Sequence, residues 1–382
     1  MTPRGFRFSA VNAGVKAPDV KSLDLGLIYA ESPFVLSGMF TRNIVKAAPV
    51  IIAMEQAKRG SARAIIANSG NANACTGATG LADARSVMQA VAKELDIRPD
   101  EVVPMSTGTI GVYLPTERIV HKVPELVQKL SDDPEPFARC IMTTDTTLKV
   151  SRRRVGQACI LGIAKGAGMI APDMATTLAI VLTDAVMDKD TLDKVLKGVV
   201  AHTFNAISID GDMSTNDTIL ACASSQVDAD PEEFAYAFDE VVTELAHMIV
   251  KDGEGATKFV TVKVMGCAND RDARLIARAV ADSLLVKTAL FGADPNWGRI
   301  VAAVGYAGVN IDPDRISVRI QGLDVVTSGV QDRSFREEDL KEALQQHDIT
   351  IEITVGGGMG RFTVWTTDLS HKYIEINASY RT

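Results

Sequence analysis

A threonine preceded by alanine, in the segment MATT at 174–177, carries the sharpest chemical signal in this sequence of 382 residues. A threonine hydroxyl is a weak nucleophile unless a base lies beside it, and an N-terminal threonine can use its own α-amine as that base. The reference pKa of an α-amine is roughly 7.7–8.0, so a good fraction is neutral near working pH. Thr176 could reach this state only if the Ala175–Thr176 bond were cut, through an N→O acyl shift followed by hydrolysis.

The same segment also has a purely structural interpretation. β-branched residues are favoured in strands, and Thr176 and Thr177 precede an apolar run at 178–182. Spacing alone therefore favours the start of a strand over a nucleophile, and other motifs must decide between the two.

Loops rich in glycine, asparagine, threonine and serine follow short apolar runs along the chain. Loops of this composition hold the backbone in tight turns and expose N–H groups. One such loop would be a turn, whereas six in one chain indicate a shared polar site. The six loops lie at 68–77, 106–111, 165–169, 210–218, 252–258 and 294–299.

The glycine-rich loops do not match a nucleotide-binding pattern. The sequence contains neither GxxxxGK[ST] nor a GxGxxG that follows a strand and opens a helix. The run GGGMG at 356–360 joins two strand-like segments, so we expect it to form the turn of a β-hairpin.

A cation site is the alternative use of the acidic loop, where Asp210, Asp212, Ser214 and Asp217 could ligate Ca²⁺ or Mg²⁺. This loop lacks the spacing of an EF-hand, which needs a glutamate at position 12. Short polar side chains more often accept hydrogen bonds from backbone N–H groups in tight turns. We therefore favour the structural interpretation and predict neither a metal nor an organic cofactor.

The composition is that of an ordinary enzyme, with 46% apolar residues, 23% charged residues and a net charge of −8. An acidic balance argues against a nucleic-acid partner, and no stretch approaches the ~18 apolar residues of a membrane span. The five cysteines are odd in number and lack CxxC spacing. They argue against a disulfide framework and fit a reducing, cytoplasmic setting.

Charge is divided unevenly along the chain. Residues 1–175 carry 21 basic and 16 acidic side chains, whereas residues 176–382 carry 19 and 32. The resulting balances of +5 and −13 would belong to two separate molecules if the chain were cut before Thr176.

Apolar strand-like runs alternate with amphipathic helical stretches, which is the pattern of an α/β fold. Apolar residues at helical spacing predict helices at 81–95, at 192–199, from about 231, and around 275–280. The predicted strands lie at 64–67, 178–182, 259–264, 316–320, 349–355 and 362–366.

Taken together, the loops resemble the ornithine acetyltransferase (glutamate N-acetyltransferase) family of arginine biosynthesis, and the resemblance runs from about Gly5 to Thr382. Several long motifs in the same order make a chance match very rare. The motifs are KGAGMIAPDMAT at 165–176, NANACTG at 71–77, DGD at 210–212, DGEGATKF at 252–259, ADPNWGR at 293–299 and NASYRT at 377–382.

The resemblance implies roles for individual residues. The family's precursor cuts itself within Met-Ala-Thr, here between Ala175 and Thr176, and the new N-terminal threonine accepts the acyl group. The family's Ser-Thr-Gly loop supplies the oxyanion hole, which falls on the Thr107 side chain and the Gly108 amide. Substrate contacts fall on Thr143, Lys165, Thr176, Glu254, Asn377 and Thr382.

The implied reaction is a ping-pong transfer of the acetyl group from N-acetylornithine to glutamate, with acetyl-CoA as a possible second donor. The implied architecture is a layered αββα sandwich, similar to N-terminal-nucleophile amidohydrolases, with a smaller C-terminal α/β domain at about 260–382. Residues 1–175 would form an α chain and residues 176–382 a β chain, and the family assembles as α2β2.

Three alternatives stay open at this stage. A related N-terminal-threonine aminopeptidase or amidohydrolase would resolve the same acyl-enzyme with water. A paralogue in secondary metabolism would use the same chemistry on another acceptor. An uncut homologue could act as a binding protein without catalysis.

Overall fold

Two β-sheets organise the chain in a computed structural model that describes residues 2–17, 21–171 and 177–379. The described residues divide into two compact units. Unit 1 lies within Met1–Asn205 and Asp212–Ile249, and unit 2 within Ala206–Gly211 and Val250–Tyr380. The predicted cut before Thr176 falls within the span of unit 1, and the predicted division into α and β chains stays a prediction.

Unit 1 is built on an eight-stranded mixed sheet. Its strands are β1 (Arg7–Val11), β2 (Leu25–Phe40), β3 (Ser61–Asn71), β4 (Val102–Thr109), β5 (Lys149–Val155), β6 (Ala158–Lys165), β7 (Leu178–Ala185) and β8 (Thr218–Val227). The strand order is β4-β3-β2-β8-β7-β6-β5, and β1 pairs with the first part of β2. The helices lying wholly or mainly in unit 1 are α1 (Ala48–Arg59), α2 (Gly77–Leu95), α3 (Thr116–Gln128), α4 (Glu135–Cys140), α5 (Lys189–His202) and α6 (Pro231–Lys251).

Alternation along the strands of unit 1 produces its layers, because successive side chains point to opposite faces of a sheet. Leu25 and Leu27 of β2 join the apolar cluster that contains the buried faces of α2 and α3. Ile28, on the other face of β2, joins a second cluster with residues of β6, β7 and β8. An ideal Cβ on Gly162 of β6 would lie 2.6 Å from α6 side chains, so α6 covers the outer face there. Helices thus pack over the strands, with an apolar cluster on each face of the sheet, which confirms the predicted layered α/β class.

Unit 2 is built on a six-stranded sheet with helices packed against it. Its strands are β9 (Phe259–Cys267), β10 (Ser317–Ile320), β11 (Leu323–Thr327), β12 (Val330–Gln331), β13 (Asp348–Thr354) and β14 (Gly360–Thr367). Its helices are α7 (Asp270–Ala281), α8 (Leu284–Phe291), α9 (Gly298–Gly305), α10 (Glu337–Ala343) and α11 (His371–Ser379). The apolar core of this unit joins one face of α7 to the inward residues of β9 and β13. Across both units, single 3₁₀ turns occur at Pro99–Glu101, Phe204–Ala206 and Pro313–Arg315.

The predicted helices and strands are confirmed, but the predicted hairpin at 356–360 is wrong. The strand order is β12-β11-β10-β13-β9-β14, so β9 lies between β13 and β14. The run instead crosses the end of β9, where the Gly358 amide donates to the Gly266 carbonyl at 3.1 Å. An ideal Cβ on Gly358 would lie 2.0 Å from the Cys267 carbonyl oxygen, so the glycines permit this close crossing.

Candidate functional site

Two parallel strands of unit 1 end side by side and bring two of the predicted loops together. In the register of β3 and β4, Ser69 pairs with Thr107 and Gly70 pairs with Gly108. Gly108 has a φ of 129°, and an ideal Cβ there would lie 2.3 Å from the Gly70 carbonyl carbon. The strand end therefore requires a glycine at 108 in order to hold this shape.

Asparagine side chains lock this pair of strand ends. Asn68 donates through Nδ2 to the Asn71 carbonyl at 2.8 Å and accepts from the Ser106 hydroxyl at 2.6 Å. Asn216, from the loop before β8, donates to the carbonyls of Ala72 and Ser106 at 2.7 and 2.8 Å. Three of the six predicted polar loops thus meet in unit 1. Because Asn216 binds backbone carbonyls of both other loops and Asn68 binds the Ser106 hydroxyl, the loops are held rigidly against each other.

Lys165, at the end of β6, reaches the oxyanion-hole threonine predicted from the sequence. Its Nζ donates to the Thr107 hydroxyl oxygen at 3.2 Å, and both residues are 9% exposed. Because the ammonium can only donate, the Thr107 O–H proton is directed to some other acceptor. The arrangement presents a buried hydroxyl donor beside a fixed positive charge.

Asp145 connects three further groups of unit 1. Its Oδ1 accepts from Lys149 Nζ and from the Gly166 amide, each at 2.7 Å, and its Oδ2 accepts from the Thr143 amide at 3.0 Å. The Asp145 and Lys149 side chains are both fully buried. Burial alone would raise the pKa of Asp145, but the ammonium groups of Lys165 and Lys149 and these hydrogen bonds outweigh it and lower the pKa to about 2.

Asp217, immediately before β8, is a buried carboxyl with a different environment. Burial raises its pKa well above the ordinary value, although Lys165 and hydrogen bonds from Ser214 and Thr41 oppose the shift. Among the described residues, neither its Oδ2 nor the Oγ1 of Thr177 has a hydrogen-bond partner. The Thr218 amide donates to the Thr177 carbonyl at 2.8 Å, which fixes the backbone where β7 begins.

Three of the predicted site residues lie outside the described residues. They are Ala175 and Thr176 of the predicted cleavage point, and Thr382. Their predicted roles stay predictions. The described residues closest to the predicted nucleophile in the chain are Ala171 and Thr177, both buried.

Glu254 and Asn377, the remaining predicted substrate contacts, meet each other in unit 2. Asn377 on α11 donates through Nδ2 to Glu254 Oε2 at 2.7 Å and to the Tyr373 carbonyl at 3.0 Å. The Ser370 hydroxyl donates to the Gly255 carbonyl at 2.5 Å, and an ideal Cβ on Gly255 would lie 2.5 Å from the Tyr373 amide nitrogen. The segment DGEGATK and the start of α11 are therefore closely packed.

A buried aspartate also supports this loop of unit 2. Asp368 Oδ1 accepts from the amides of Thr257 and Lys258 at 2.8 and 3.0 Å, and its Oδ2 accepts from the Thr257 hydroxyl at 2.5 Å. This contact fixes the end of the loop that begins with Glu254.

Sequence reasoning missed the supporting carboxylates and their partners. Asp145 stands in the same Thr-Thr-Asp run as Thr143, which was the available signal. Lys149 precedes three arginines on β5 and looks like a solvated residue, although it is 1% exposed. Asp217 was considered only as a cation ligand, and Asp368 was not singled out.

The described residues contain no group of three or more His, Cys, Asp or Glu side chains placed to hold a metal ion. Asp210 of the acidic loop instead accepts from the Tyr373 hydroxyl at 3.3 Å. Within the described part of the chain, no helix has both the length and the apolar character needed to cross a membrane.

Comparison with known proteins gives matches along the whole chain. The model of the ArgJ family matches residues 7–382. The arginine biosynthesis bifunctional protein ArgJ of Geobacter sulfurreducens is 48% identical over 396 residues, which cover 100% of both chains. That of Caldanaerobacter subterraneus subsp. tengcongensis is 45% identical over 396 residues, covering 100% of this chain and 98% of its own. The crystal structure of an arginine biosynthesis bifunctional protein ArgJ from Bacillus halodurans is 36% identical, with a TM-score of 0.49, covering 52% of this chain and 96% of its own.

Proposed function

Because the chain belongs to the ArgJ family, we propose that it is a self-cleaving acetyltransferase of arginine biosynthesis, which moves the acetyl group of N2-acetyl-L-ornithine to L-glutamate. The observation that carries this proposal is the buried contact between Lys165 and Thr107, which lies beside the end of β4, where position 108 has no room for a Cβ. A hydroxyl and an amide at a rigid strand end are the donors that an acyl-transfer site needs for its oxyanion.

Self-cleavage prepares the nucleophile. The Thr176 hydroxyl attacks the Ala175 carbonyl, the peptide C–N bond breaks as an ester forms, and the proton passes to the new α-amine. Water then hydrolyses the ester and leaves Thr176 as the N-terminus of a chain of 207 residues. The free α-amine can subsequently take the proton of its own hydroxyl.

Transfer then proceeds in two halves. The Thr176 oxygen attacks the acetyl carbonyl of N-acetylornithine, and the C–N bond of the tetrahedral intermediate breaks as the departing amine takes the proton. Glutamate presents its neutral amine to the acetyl-threonine ester, and collapse of the second intermediate releases N-acetylglutamate and restores the hydroxyl.

The oxyanion of both intermediates is stabilised by the Thr107 hydroxyl and the Gly108 amide. Donors of this kind are each worth about 2.7–4 kcal/mol in measured oxyanion holes. Lys165 donates to the Thr107 oxygen, and this leaves the hydroxyl proton available to the oxyanion. Preorganisation by the surrounding asparagine contacts means that little energy is spent on orienting these donors during the reaction.

The remaining proposed contacts bind the amino-acid parts of the substrates. Lys165 can pair with a carboxylate, and Thr143 can donate a hydroxyl. Glu254 can pair with an ammonium group, and Asn377 orients the Glu254 carboxylate through their 2.7 Å contact. Thr382 completes the proposed set from the sequence resemblance.

We further propose that the processed α and β chains assemble as α2β2 in the cytoplasm. The five cysteines are free thiols, as expected in a reducing compartment. The opposite net charges of the two chains would favour their association, weakly at physiological salt because exposed charges are screened beyond about 8 Å.

A second activity is proposed from the relatives, which carry the name bifunctional protein. Acetyl-CoA would then serve as an alternative donor to Thr176, and glutamate would be the acceptor. An assay that compares acetyl-CoA with N-acetylornithine as donors tests this. No N-acetylglutamate from acetyl-CoA would leave the chain monofunctional.

Rapid mixing with N-acetylornithine tests the principal proposal. We expect a burst of ornithine followed by a slow phase that glutamate accelerates, and a denaturing gel should show two bands in place of one near 40.8 kDa. A slow phase insensitive to glutamate would instead identify an amidohydrolase, and a single band with no turnover would identify an uncut binding protein.

The nucleophile is tested with a matched pair of neighbouring variants. Thr176→Ala should abolish both cutting and transfer. Thr177→Val keeps the side-chain shape and removes a hydroxyl that has no partner among the described residues, so both activities should persist. The opposite pattern would move the nucleophile to Thr177.

A further inference from the structure

Asp145 joins two segments that are far apart in the sequence of unit 1. One of its oxygens binds the Thr143 amide at 3.0 Å, and the other binds the Gly166 amide at 2.7 Å. Thr143 and Lys165, which immediately precedes Gly166, both belong to the substrate contacts of the proposed function. A single carboxylate therefore fixes the backbone at two of these contacts.

The Lys149 ammonium makes this burial of charge tolerable. It lies 2.7 Å from Asp145 Oδ1, and both side chains are fully excluded from solvent. A buried carboxylate without a cation would be costly, and a buried ion pair without further hydrogen bonds is often no more stable than an apolar pair. Here the Asp145 carboxylate also accepts hydrogen bonds from two backbone amides. The ion pair therefore fixes the backbone at two places in addition to neutralising its own charges.

We propose that Asp145 is a positioning residue for acetyl transfer, which sets the backbone at Thr143 and at Lys165–Gly166 so that both contacts meet the substrate together. This inference rests on the proposed function. Asp145 acts through the residues it holds and touches no substrate. Lys149 is the buried counter-charge that keeps the carboxylate ionised in place.

The substitution Asp145→Asn removes one oxygen acceptor and keeps the side-chain volume. An asparagine has a single acceptor oxygen, so it cannot bind the Thr143 and Gly166 amides from opposite sides. The single variant also leaves the Lys149 ammonium buried without a carboxylate. The double variant Asp145→Asn/Lys149→Met removes that uncompensated charge and guards against a simple failure to fold.

Asp184, on the neighbouring strand β7, offers a matched control. Its carboxylate is 2% exposed and also accepts two backbone amides, from Cys159 at 2.6 Å and from Arg4 at 3.0 Å. Cys159 and Lys165 lie near opposite ends of β6, six residues and therefore about 20 Å apart. Asp184→Asn thus makes the same chemical change in the same unit, away from the proposed substrate contacts.

The experiment measures the KM for N-acetylornithine, the kcat and the urea midpoint of wild type, the two Asp145 variants and Asp184→Asn. We expect KM to rise about 10-fold to 100-fold in the Asp145 variants with a smaller fall in kcat, since small displacements of positioning groups have effects of this size. Asp184→Asn should lower the urea midpoint and keep KM within about twofold. The inference would be overturned if the Asp145 variants and Asp184→Asn had equal KM values. A fall in kcat alone in the Asp145 variants would also overturn it.

Amide hydrogen exchange provides a readout that does not depend on turnover. Loss of protection at Thr143 and Gly166 in the Asp145 double variant, with Cys159 retained, supports the positioning role. Retained protection at both amides overturns it. If the wild type transfers no acetyl group, the proposed function is wrong. The hydrogen-exchange measurement would still decide whether Asp145 fixes both segments.

Discussion

The two units hold their proposed substrate contacts by different means. In unit 1, Lys165 and Thr107 sit at the ends of buried strands, and the supporting carboxylate of Asp145 faces an ammonium. In unit 2, Glu254 is held by Asn377 on α11, a helix that buries none of its residues. Its supporting carboxylate, Asp368, binds backbone amides and a hydroxyl.

The two most deeply buried lysines among the described residues, Lys149 and Lys287, show the same difference. Lys149 of unit 1 faces a carboxylate at 2.7 Å. Lys287 of unit 2 donates to the Thr366 hydroxyl at 2.8 Å and to the Thr367 carbonyl at 2.6 Å. Burial lowers the pKa of Lys287 to about 8, although Asp282, Asp210 and Asp368 oppose the shift.

Rigid, charge-compensated support suits groups that must act on a developing oxyanion, because electrostatic stabilisation depends on preorganisation. Support from an exposed helix suits groups that only bind the substrate. We therefore expect damage to the proposed oxyanion donors of unit 1 to reduce kcat, and damage to the proposed binding groups of unit 2 to raise KM.

The largest effect is expected for Gly108→Ala in unit 1. The new Cβ would lie 2.3 Å from the Gly70 carbonyl carbon, so the strand end must open and the Gly108 amide must turn away. Losing one proposed oxyanion donor should reduce kcat by about 10²–10³. The measurement is steady-state transfer from N-acetylornithine to glutamate.

Gly111→Ala is the control for this change. Gly111 also has a positive φ, 80°, but an added Cβ would meet no atom within 4 Å. A kcat loss as large as that of Gly108→Ala would mean that backbone strain in the loop, rather than the oxyanion donor, dominates.

The next effect concerns stability, through Lys287. Its pKa is about 8 in the fold and near 10.5 in the unfolded chain, so between these values the unfolded state binds more protons. The contribution of Lys287 to the free energy of unfolding therefore rises with pH across this window, by on the order of 3 kcal/mol. Urea unfolding from pH 7 to pH 10.5 should show this contribution as the difference in slope between wild type and Lys287→Met.

The variant is expected to be less stable at all these pH values, because the Thr367 carbonyl loses its buried donor. Only the difference in slope bears on the comparison. Parallel curves would mean that Lys287 stays protonated in the fold across this pH range.

How far the sequence predicts this fold depends on whether the information is local. Residues 178–182 form a continuous apolar run, which β7 buries completely, and the apolar spacing at 81–95 predicts α2. The prediction of a hairpin at 356–360 was wrong because β9, about ninety residues earlier in the chain, lies between β13 and β14. No local pattern encodes such a non-local pairing.

The residues of the candidate site likewise fall into two groups, those that a local motif predicts and those that no local pattern reveals. Lys165 and Thr107 came from motif resemblance, and the structure brings them to 3.2 Å. Asp145 was missed because the type of an aspartate does not reveal whether it caps a turn or binds a buried ammonium. Lys149 was missed because its neighbours on β5 are arginines, which suggest solvent exposure.

A smaller effect is expected for Gly255→Ala in unit 2. The added Cβ would lie 2.5 Å from the Tyr373 amide nitrogen, so the start of α11 must move away from the Glu254 loop. We expect the KM for at least one amino-acid substrate to rise about 10-fold, with kcat within about threefold of wild type. Gly211→Ala, where the nearest atom would be 3.9 Å away, is the control. A dominant loss of kcat would erase the proposed distinction between the units.

The smallest effect is expected for Asn377→Ala, which removes the donor that lies 2.7 Å from Glu254 Oε2. Glu254 would keep its charge and lose its orientation, so KM should rise about fivefold, the equivalent of about 1 kcal/mol for one hydrogen bond. Glu375→Ala on the same exposed helix breaks only the Lys372–Glu375 pair and should leave KM unchanged. Equal KM values for the two variants would show that the helix contributes to binding through its position and not through Asn377. The assignment of Asn377 as the group that orients Glu254 would then have to be withdrawn.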